Sequence, residues 1–457
     1  MRAVFKLSGR LCLSLPGLFL WMSPVSSESL IEALAKAYNS NPSLAAARVQ
    51  LRAIDEGVSQ ALGSFRPSIT ASYELGKDWR DLSGNSVSGS RTRNLTPRTA
   101  KASITQKIYD GGQREAGLEV AEANVLAERG RLLSSEQDIL FKAAEAYIDA
   151  YRDQVVLKLN QNNEIVLKRQ FEATKDRFEV GEVTQTDVSL AEARYTGAVA
   201  DRISAEGLLA NSRAAYKNAI GDLPRKLEKV IPLGDIPVSQ EAAIRIAKNN
   251  NPSIIIARHR ERSAEAAVKK SSGAFLPTVT VEGGLSRSEE ASSRDTRTDS
   301  AEVFATIKIP LYQKGLTSSE TRESKYILGQ RRLELDVAIR EVTENTSKAW
   351  ESLITSRARV AALGAEIKAS AVALEGVRQE AQVGSRTVLD VLDAEQDLLS
   401  ARVKLVRAEQ SEVLASMDLN RSLGRLTASR LKLPVKIYNP VEAYDRTKRK
   451  LWGKFTD

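Results

Sequence analysis

NPSLAAARVQLRAIDEGVSQALGSFRP, residues 41–67, and NPSIIIARHRERSAEAAVKKSSGAFLP, residues 251–277, are one passage occurring twice at an offset of 210. Asn41-Pro42-Ser43, Ala47-Arg48, Arg52, Val58, Gly63, Phe65 and Pro67 meet Asn251-Pro252-Ser253, Ala257-Arg258, Arg262, Val268, Gly273, Phe275 and Pro277. Upstream, Ala37 and Asn39 meet Ala247 and Asn249. Further on the offset becomes 203: Tyr109 meets Tyr312, Val180-Gly181 meets Val383-Gly384, Asp187 meets Asp390, Glu192 meets Glu395 and Gly221 meets Gly424. The chain is therefore a duplicated unit, and the first copy holds seven extra residues between Pro67 and Tyr109.

The extra residues fall in a stretch that reads as an exposed loop, Trp79 to Asn94, rich in Ser, Gly, Asn and Arg, matched in the second copy by Ser286 to Asp299, rich in Ser, Arg and acidic residues. Four segments of roughly ten residues with period-two alternation flank these stretches, the length of a tilted transmembrane strand. Ile69, Ala71, Tyr73 and Leu75 alternate with Thr70, Ser72 and Glu74; Ala102, Ile104 and Ile108 alternate with Lys101, Ser103, Thr105 and Lys107. In the second copy Val279, Val281 and Leu285 alternate with Thr280 and Glu282, and Val303, Ala305, Ile307 and Ile309 with Glu302, Thr306 and Lys308. A single pair would read as a half-buried soluble sheet.

No proline occurs between Pro97 and Pro224 or between Pro310 and Pro434, and both stretches are dense in helix formers. Each is interrupted once, at Val180-Gly181-Glu182-Val183-Thr184 and at Val383-Gly384-Ser385-Arg386-Thr387, so each predicts a helical hairpin. A continuous helix over 113–179 is roughly 100 Å long at 1.5 Å per residue, too long for a globule. The returning arms carry small residues every seventh position, Ala191, Ala198, Ala205, Ser212 and Ala219, then Ala394, Ala401, Ala408, Ala415 and Ser422. Such a seam predicts close, left-handed supercoiling. Arg202 and Glu412 sit in the neighbouring seam position, tolerable where a helix has several neighbours and one wet face.

Arg2, Lys6 and Arg10 precede an apolar run from Leu11 to Met22 and the small residues Ser23-Pro24-Val25-Ser26-Ser27. This is the layout of a secretory leader, too short for the roughly 20 residues of a spanning helix. Cleavage is expected between Ser27 and Glu28. It would remove Cys12, the one cysteine, leaving no thiol, disulfide or cysteine-linked lipid, and a balance of 64 basic against 58 acidic residues, +6 with the signs well mixed. That is a solvated surface, not a nucleic-acid footprint. No later stretch approaches a membrane helix, so any crossing after export uses strands. The expected units are the leader 1–27, a first repeat 28–238 with strand pair 68–109 and hairpin 113–221, a second repeat 239–433 with strand pair 278–310 and hairpin 315–425, and a tail 434–457.

Catalytic chemistry has little to work with. His259, in the run Arg258-His259-Arg260-Glu261-Arg262, is the lone histidine and reads as a surface residue. The glycine pairs Gly111-Gly112 and Gly283-Gly284 lack the spacing of a phosphate loop. No enzyme and no cofactor are expected.

The doubled helix–strand–strand–helix order, Asn41-Pro42 and Asn251-Pro252, Phe65-Arg66-Pro67 and Phe275-Leu276-Pro277, Tyr109-Asp110-Gly111-Gly112, and the run from Val383 to Ala394 together resemble the TolC family of outer-membrane efflux channels, from about Ser29 to Arg425. The resemblance implies a mainly α protein with a membrane β-barrel. Three chains would contribute four strands each to one 12-stranded barrel standing on a left-handed coiled-coil α-helical tunnel in the periplasm. It implies a conduit for efflux or type I secretion, opened by an inner-membrane transporter of the RND or ABC type with a periplasmic adaptor. Independently, four strands with two open edges in lipid require other copies to complete them. By position, Asp390 and Asp393 resemble the acidic constriction, Arg386 the basic gate residue reaching Thr186 and Asp187 of the adjacent chain, and Gln170 a further gate position. Ala381 and Arg378 depart from the gate tyrosine and glutamate of the family's name-giving member, and the tail has no counterpart in the repeat. The competing classes are a periplasmic coiled-coil adaptor, which would not duplicate two amphipathic strand pairs, and a surface structural protein, which would show long exposed repeats.

Overall fold

The computed structural model describes residues 27–82 and 91–449. The leader up to residue 26 with Cys12, the tip 83–90 of the first strand pair and the end of the tail from 450 lie outside the described residues. In chain order the elements are α1 (Leu30–Ser40), α2 (Pro42–Gly63), β1 (Ser68–Leu75), β2 (Asp78–Leu82), β3 (Arg91–Leu95), β4 (Arg98–Tyr109), α3 (Gln113–Glu179), α4 (Gln185–Ile220), α5 (Gln240–Asn250), α6 (Pro252–Gly273), β5 (Thr278–Glu289), β6 (Arg297–Lys308), α7 (Leu316–Gln382), α8 (Val388–Ser422) and α9 (Pro440–Arg449). The repeated Asn-Pro pairs punctuate the helices. Asn41 Oδ1 accepts from the N–H groups of Ser43 at 2.9 Å and Leu44 at 3.4 Å, and Asn251 Oδ1 from Ser253 at 2.9 Å, with proline in the first turn, where its missing N–H costs nothing.

β1, β4, β5 and β6 form one antiparallel sheet in that order, so a β4–β5 ladder joins the two repeats and β1 and β6 are the edges. Directly paired residues share a face. Ile69 pairs with Ile104, Ile104 with Gly283 and Gly283 with Val303; the next row is Ala71, Ala102, Leu285 and Ala301. That face is apolar and exposed, with Ile69 75% and Val303 77% accessible. It first meets charge at Arg287 and Asp299, which pair at 2.6 Å toward the strand tips. The opposite face carries Thr70 and Ser103, whose hydroxyls bond at 2.8 Å, and Ser286 and Ser300, also at 2.8 Å. Phe304 breaks this pattern by facing the polar side opposite Glu282.

The ladders extend into the segments read as loops. β5 continues to Glu289 and β6 begins at Arg297, so the turn shrinks to residues 290–296; in the first copy β2 and β3 pair beyond a break at Gly76, whose N–H donates to Pro97 O at 3.0 Å. Composition reports exposure, whereas the ladder is made by backbone groups and needs no apolar face.

At the other end of the strands the chain turns sharply into α3. Gly111 and Gly112 take φ values of 70° and 78°, and a Cβ on Gly111 would lie 2.3 Å from the carbonyl oxygen of Gly273 at the end of α6. Arg114 fastens this corner, bonding Asp110 at 3.0 Å and the carbonyls of Lys107 and Ile108 at 3.0 and 3.1 Å. Tyr109 and its repeat equivalent Tyr312 are exposed here, at the level an aromatic belt occupies in membrane barrels.

α3 and α7 each span 67 residues and pack against α4 and α8. Ala191, Ala198, Ala205, Ala401 and Ala408 are buried at these seams. The two charged seam residues are each answered from the opposing arm: Arg202 pairs with Glu164 at 2.6 Å, and Glu412 with Arg357 at 3.4 Å.

The tail lies across α2. Tyr438 N–H donates to Tyr38 Oη at 3.1 Å, Arg48 stands 4.6 Å from the Tyr38 ring and 5.5 Å from the Tyr438 ring, Arg129 stands 5.2 Å from the Tyr444 ring, and Ser59 donates to Thr447 O. Asp55 of α2 is 1% exposed and neither of its carboxylate oxygens has a partner, while its repeat equivalent Glu265 is exposed. Burial pushes the Asp55 carboxyl up to about 6 despite the nearby Arg129 charge. A raised folded pKa means that its stabilising share is full below the ordinary Asp value and is lost as pH rises through about 6. Asp55→Asn should therefore stabilise the protein at pH 7 by on the order of 3 kcal/mol at most and flatten the stability profile between roughly pH 4 and 6. Thermal unfolding across that range checks it; parallel profiles for the two proteins would contradict it.

Candidate functional site

The two long hairpins end side by side. Gln170, Arg177, Glu182, Asp187, Arg378, Ala381 and Arg386 line one cleft between their tips. Each return helix starts with the same device: Thr184 and Thr387 receive a hydrogen bond from the N–H groups of Asp187 and Asp390, and each aspartate accepts from its threonine's N–H at 2.9 Å and hydroxyl at 2.7 Å. The threonine N–H and then its hydroxyl hold both carboxyls below the usual range, so both stay ionised well into acid.

Each tip is clamped by one ion pair of opposite polarity. In the first, Arg177 on the helix pairs with Glu182 in the turn at 2.9 Å; in the second, Glu380 on the helix pairs with Arg386 in the turn at 2.9 Å. The first turn thus presents an acid and the second a base. Arg386 also stands 4.0 Å from Asp390, and the Glu380 bond followed by the Glu380 and Asp390 charges raises its pKa further. Within one chain Arg386 does not bond Thr186 or Asp187. Asp187 shares its cleft, and Thr186 is exposed on the first turn of α4 outside it.

Asp393 is engaged by a residue the sequence reading passed over: Arg194 of α4 bonds its Oδ1 at 2.6 Å. Beside it Leu392 is buried between Leu167 of α3 and Ala198 of α4, an apolar contact that locks the second hairpin against the first. Arg378 pairs with the largely buried Glu395 at 2.7 Å, so the departed position fastens α7 to α8 within one hairpin, and Ala381 leaves room in the cleft. His259, read as a surface residue, is partly buried on α6 with Nδ1 unpartnered; burial and then the Arg262 and Arg258 charges lower its pKa. No helix among the described residues is long and apolar enough to cross a membrane.

An amphipathic sheet with one wet and one apolar face, standing on paired helices roughly 100 Å long with charged tips, is the build of a channel-tunnel subunit. The chain belongs to the outer membrane efflux protein family, whose model matches residues 33–222 and 243–425. It is 35% identical to the outer membrane efflux protein BepC of Brucella suis biovar 1 over 93% of this chain and 92% of that protein. It is 27% identical to the outer membrane protein TolC of Vibrio cholerae over 89% and 92%. Its fold matches the Campylobacter jejuni CmeC outer membrane channel with a TM-score of 0.79 at 14% identity, covering 92% of this chain and 89% of that one. The chain is an outer-membrane channel of the efflux or secretion type with its helices in the periplasm, a passive conduit and not an enzyme.

Proposed function

We propose that three copies close one 12-stranded barrel and one helical tunnel, gated at the hairpin tips and opened by an inner-membrane transporter with a periplasmic adaptor. One observation carries this reading. Inside the chain, the first repeat's long helix is covered by the second repeat: Ala123 of α3 is buried, and a Cβ on Gly130 would meet Ile256 of α6 at 2.8 Å. The equivalent face of α7 is bare, with Tyr326 77% and Leu333 67% exposed. The contact made between repeats within one chain is thus left open at its far end, and α2 of another copy is the element with the matching surface. The sheet repeats the argument, since β4 pairs with β5 while β6 and β1 remain edges.

The same reading assigns the gate to Asp390, Asp393, Arg386, Thr186, Asp187 and Gln170. Arg386 of one copy, paired with its own Glu380 at 2.9 Å, would reach Asp187 and Thr186 of the next, and the aspartates would line the narrowest passage.

Cysteine labelling tests the lipid-facing sheet. A cysteine at Ile69 should react with a bilayer-soluble maleimide and resist a charged one, and a cysteine at Thr70 should do the reverse. Equal aqueous labelling of both would remove the barrel.

A further inference from the structure

We propose that cleavage between Ser27 and Glu28 supplies a structural group: the new α-ammonium of Glu28 becomes the counter-ion of Glu228 and locks the N-terminus onto the junction between the repeats. The inference rests on the export reading above. Although it adjoins the expected cut, Glu28 is only 3% exposed. Its N–H donates to Lys226 O at 2.8 Å, its carbonyl accepts from Tyr147 Oη at 2.6 Å and from Glu228 N–H at 3.3 Å, and its carboxylate accepts from Lys36 Nζ at 2.7 Å and Arg225 N–H at 3.3 Å. Fully buried Tyr147 and Tyr216 back the site. Glu28 is thus built into the core that ties α1, α3, α4 and the segment between the repeats.

Glu228 marks what is missing. Its Oε1 takes the hydroxyl of Ser27, the residue that departs with the leader. Hydrolysis by a signal peptidase adds the hydroxyl of water to the Ser27 carbonyl and its hydrogen to the Glu28 nitrogen, which then protonates. The peptide nitrogen had one donor; the ammonium has three. One keeps the bond to Lys226 O, and a second meets the carboxylate that Ser27 vacates. A buried, paired Glu28 cannot be drawn into a protease cleft, so cutting precedes docking.

The other charged groups around the site are Lys36 on α1, with Asp222 3.7 Å from its Nζ, and Arg225 and Lys226 on the connecting segment; α3 and α4 contribute Tyr147 and Tyr216. An α-amino group ordinarily titrates near 8, and a carboxylate partner raises that value. The ammonium's share of stability is therefore full below roughly pH 8 and lost as pH rises through the raised value.

The test uses mature protein from outer membranes. Intact mass should show a chain starting at Glu28. Glu228→Gln, which keeps the hydrogen-bonding shape without charge, should lower the melting temperature by about one to two degrees at pH 7, the size expected for a pair to an exposed carboxylate, and by nothing at pH 10. Inserting one alanine between Ser27 and Glu28, so that the mature chain starts one residue early, should give the same loss. If the chain starts at Glu28 and Glu228→Gln melts with the parent at pH 7, the lock is wrong while the export reading stands. A start elsewhere overturns the proposal.

Discussion

Replacing Asp390 and Asp393 together by asparagine should abolish block of the channel by a trivalent cation added from the periplasmic side, weakening it at least tenfold, with loss of cation preference. Two carboxylates from each of three copies, three residues apart on one helical face, would ring a narrow wet passage, and acidic rings recur where channels select cations. The geometry distributes the work unequally. Asp390 commits one oxygen to its capping box while the other stands 4.0 Å from Arg386, a looser contact than the 2.6 Å pair by which Arg194 engages Asp393. Asp390→Asn alone should therefore account for most of the effect, and Arg194→Gln should strengthen block by freeing Asp393. Asparagine is the better substitution here because it can still cap the helix, while alanine would remove a cap worth about 1 kcal/mol and confuse gating with fraying. Since Thr387 holds the Asp390 carboxyl below the ordinary range, block should persist at pH 5 and fade only below the usual Asp value, as that carboxylate gains its proton. A double variant that blocks like the parent in planar bilayers would place the constriction elsewhere.

Arg386→Ser should raise single-channel conductance and make cells leak more antibiotic inward. A charge-assisted bond is roughly twice as strong as a neutral one, and closure of three tips would multiply each loss. The pair with Glu380 at 2.9 Å aims the guanidinium but does not itself bridge two subunits. Glu380→Gln should accordingly produce a weaker leak than Arg386→Ser, through an arginine that is present but less well directed. Parent-like behaviour of Arg386→Ser in both assays would reduce this residue to a solvated tip charge.

Much of the architecture was legible because it is periodic. The strand faces follow from alternation at Ile69, Ala71 and Tyr73, and the register then carries that face across both repeats to Val303. Proline-free stretches and the two Val-Gly turns mark the hairpins, and the seven-residue seam marks what the return arms bury. What was missed depends on partners far away in sequence. Arg202 and Glu412 read as misfits in their seam until Glu164 and Arg357 are seen across it, and nothing local names Arg194 as the partner of Asp393. The Thr-x-x-Asp boxes at 184–187 and 387–390 were readable as helix starts and would have warned that Asp390 has a structural duty beside any role in the gate. The strands run further into the polar stretches than composition suggests, because polar composition says that a segment is wet, not that it is unpaired. The tail escaped because its cation–π contacts with Arg48 and Arg129 belong to a surface that only the folded α2 and α3 present.

The claim on which all of this rests is that β1 and β6, the free edges of one chain, are the seams between copies. Cysteines placed at Ala71 on β1 and, one at a time, at positions 299, 301, 303 and 305 on β6 would test it in protein oxidised in its native membrane. One register should give a covalent species of three chains and nothing larger, and that species should conduct ions in a planar bilayer. Only monomers in every register, or an open ladder of ever larger polymers, would contradict the closed three-chain barrel.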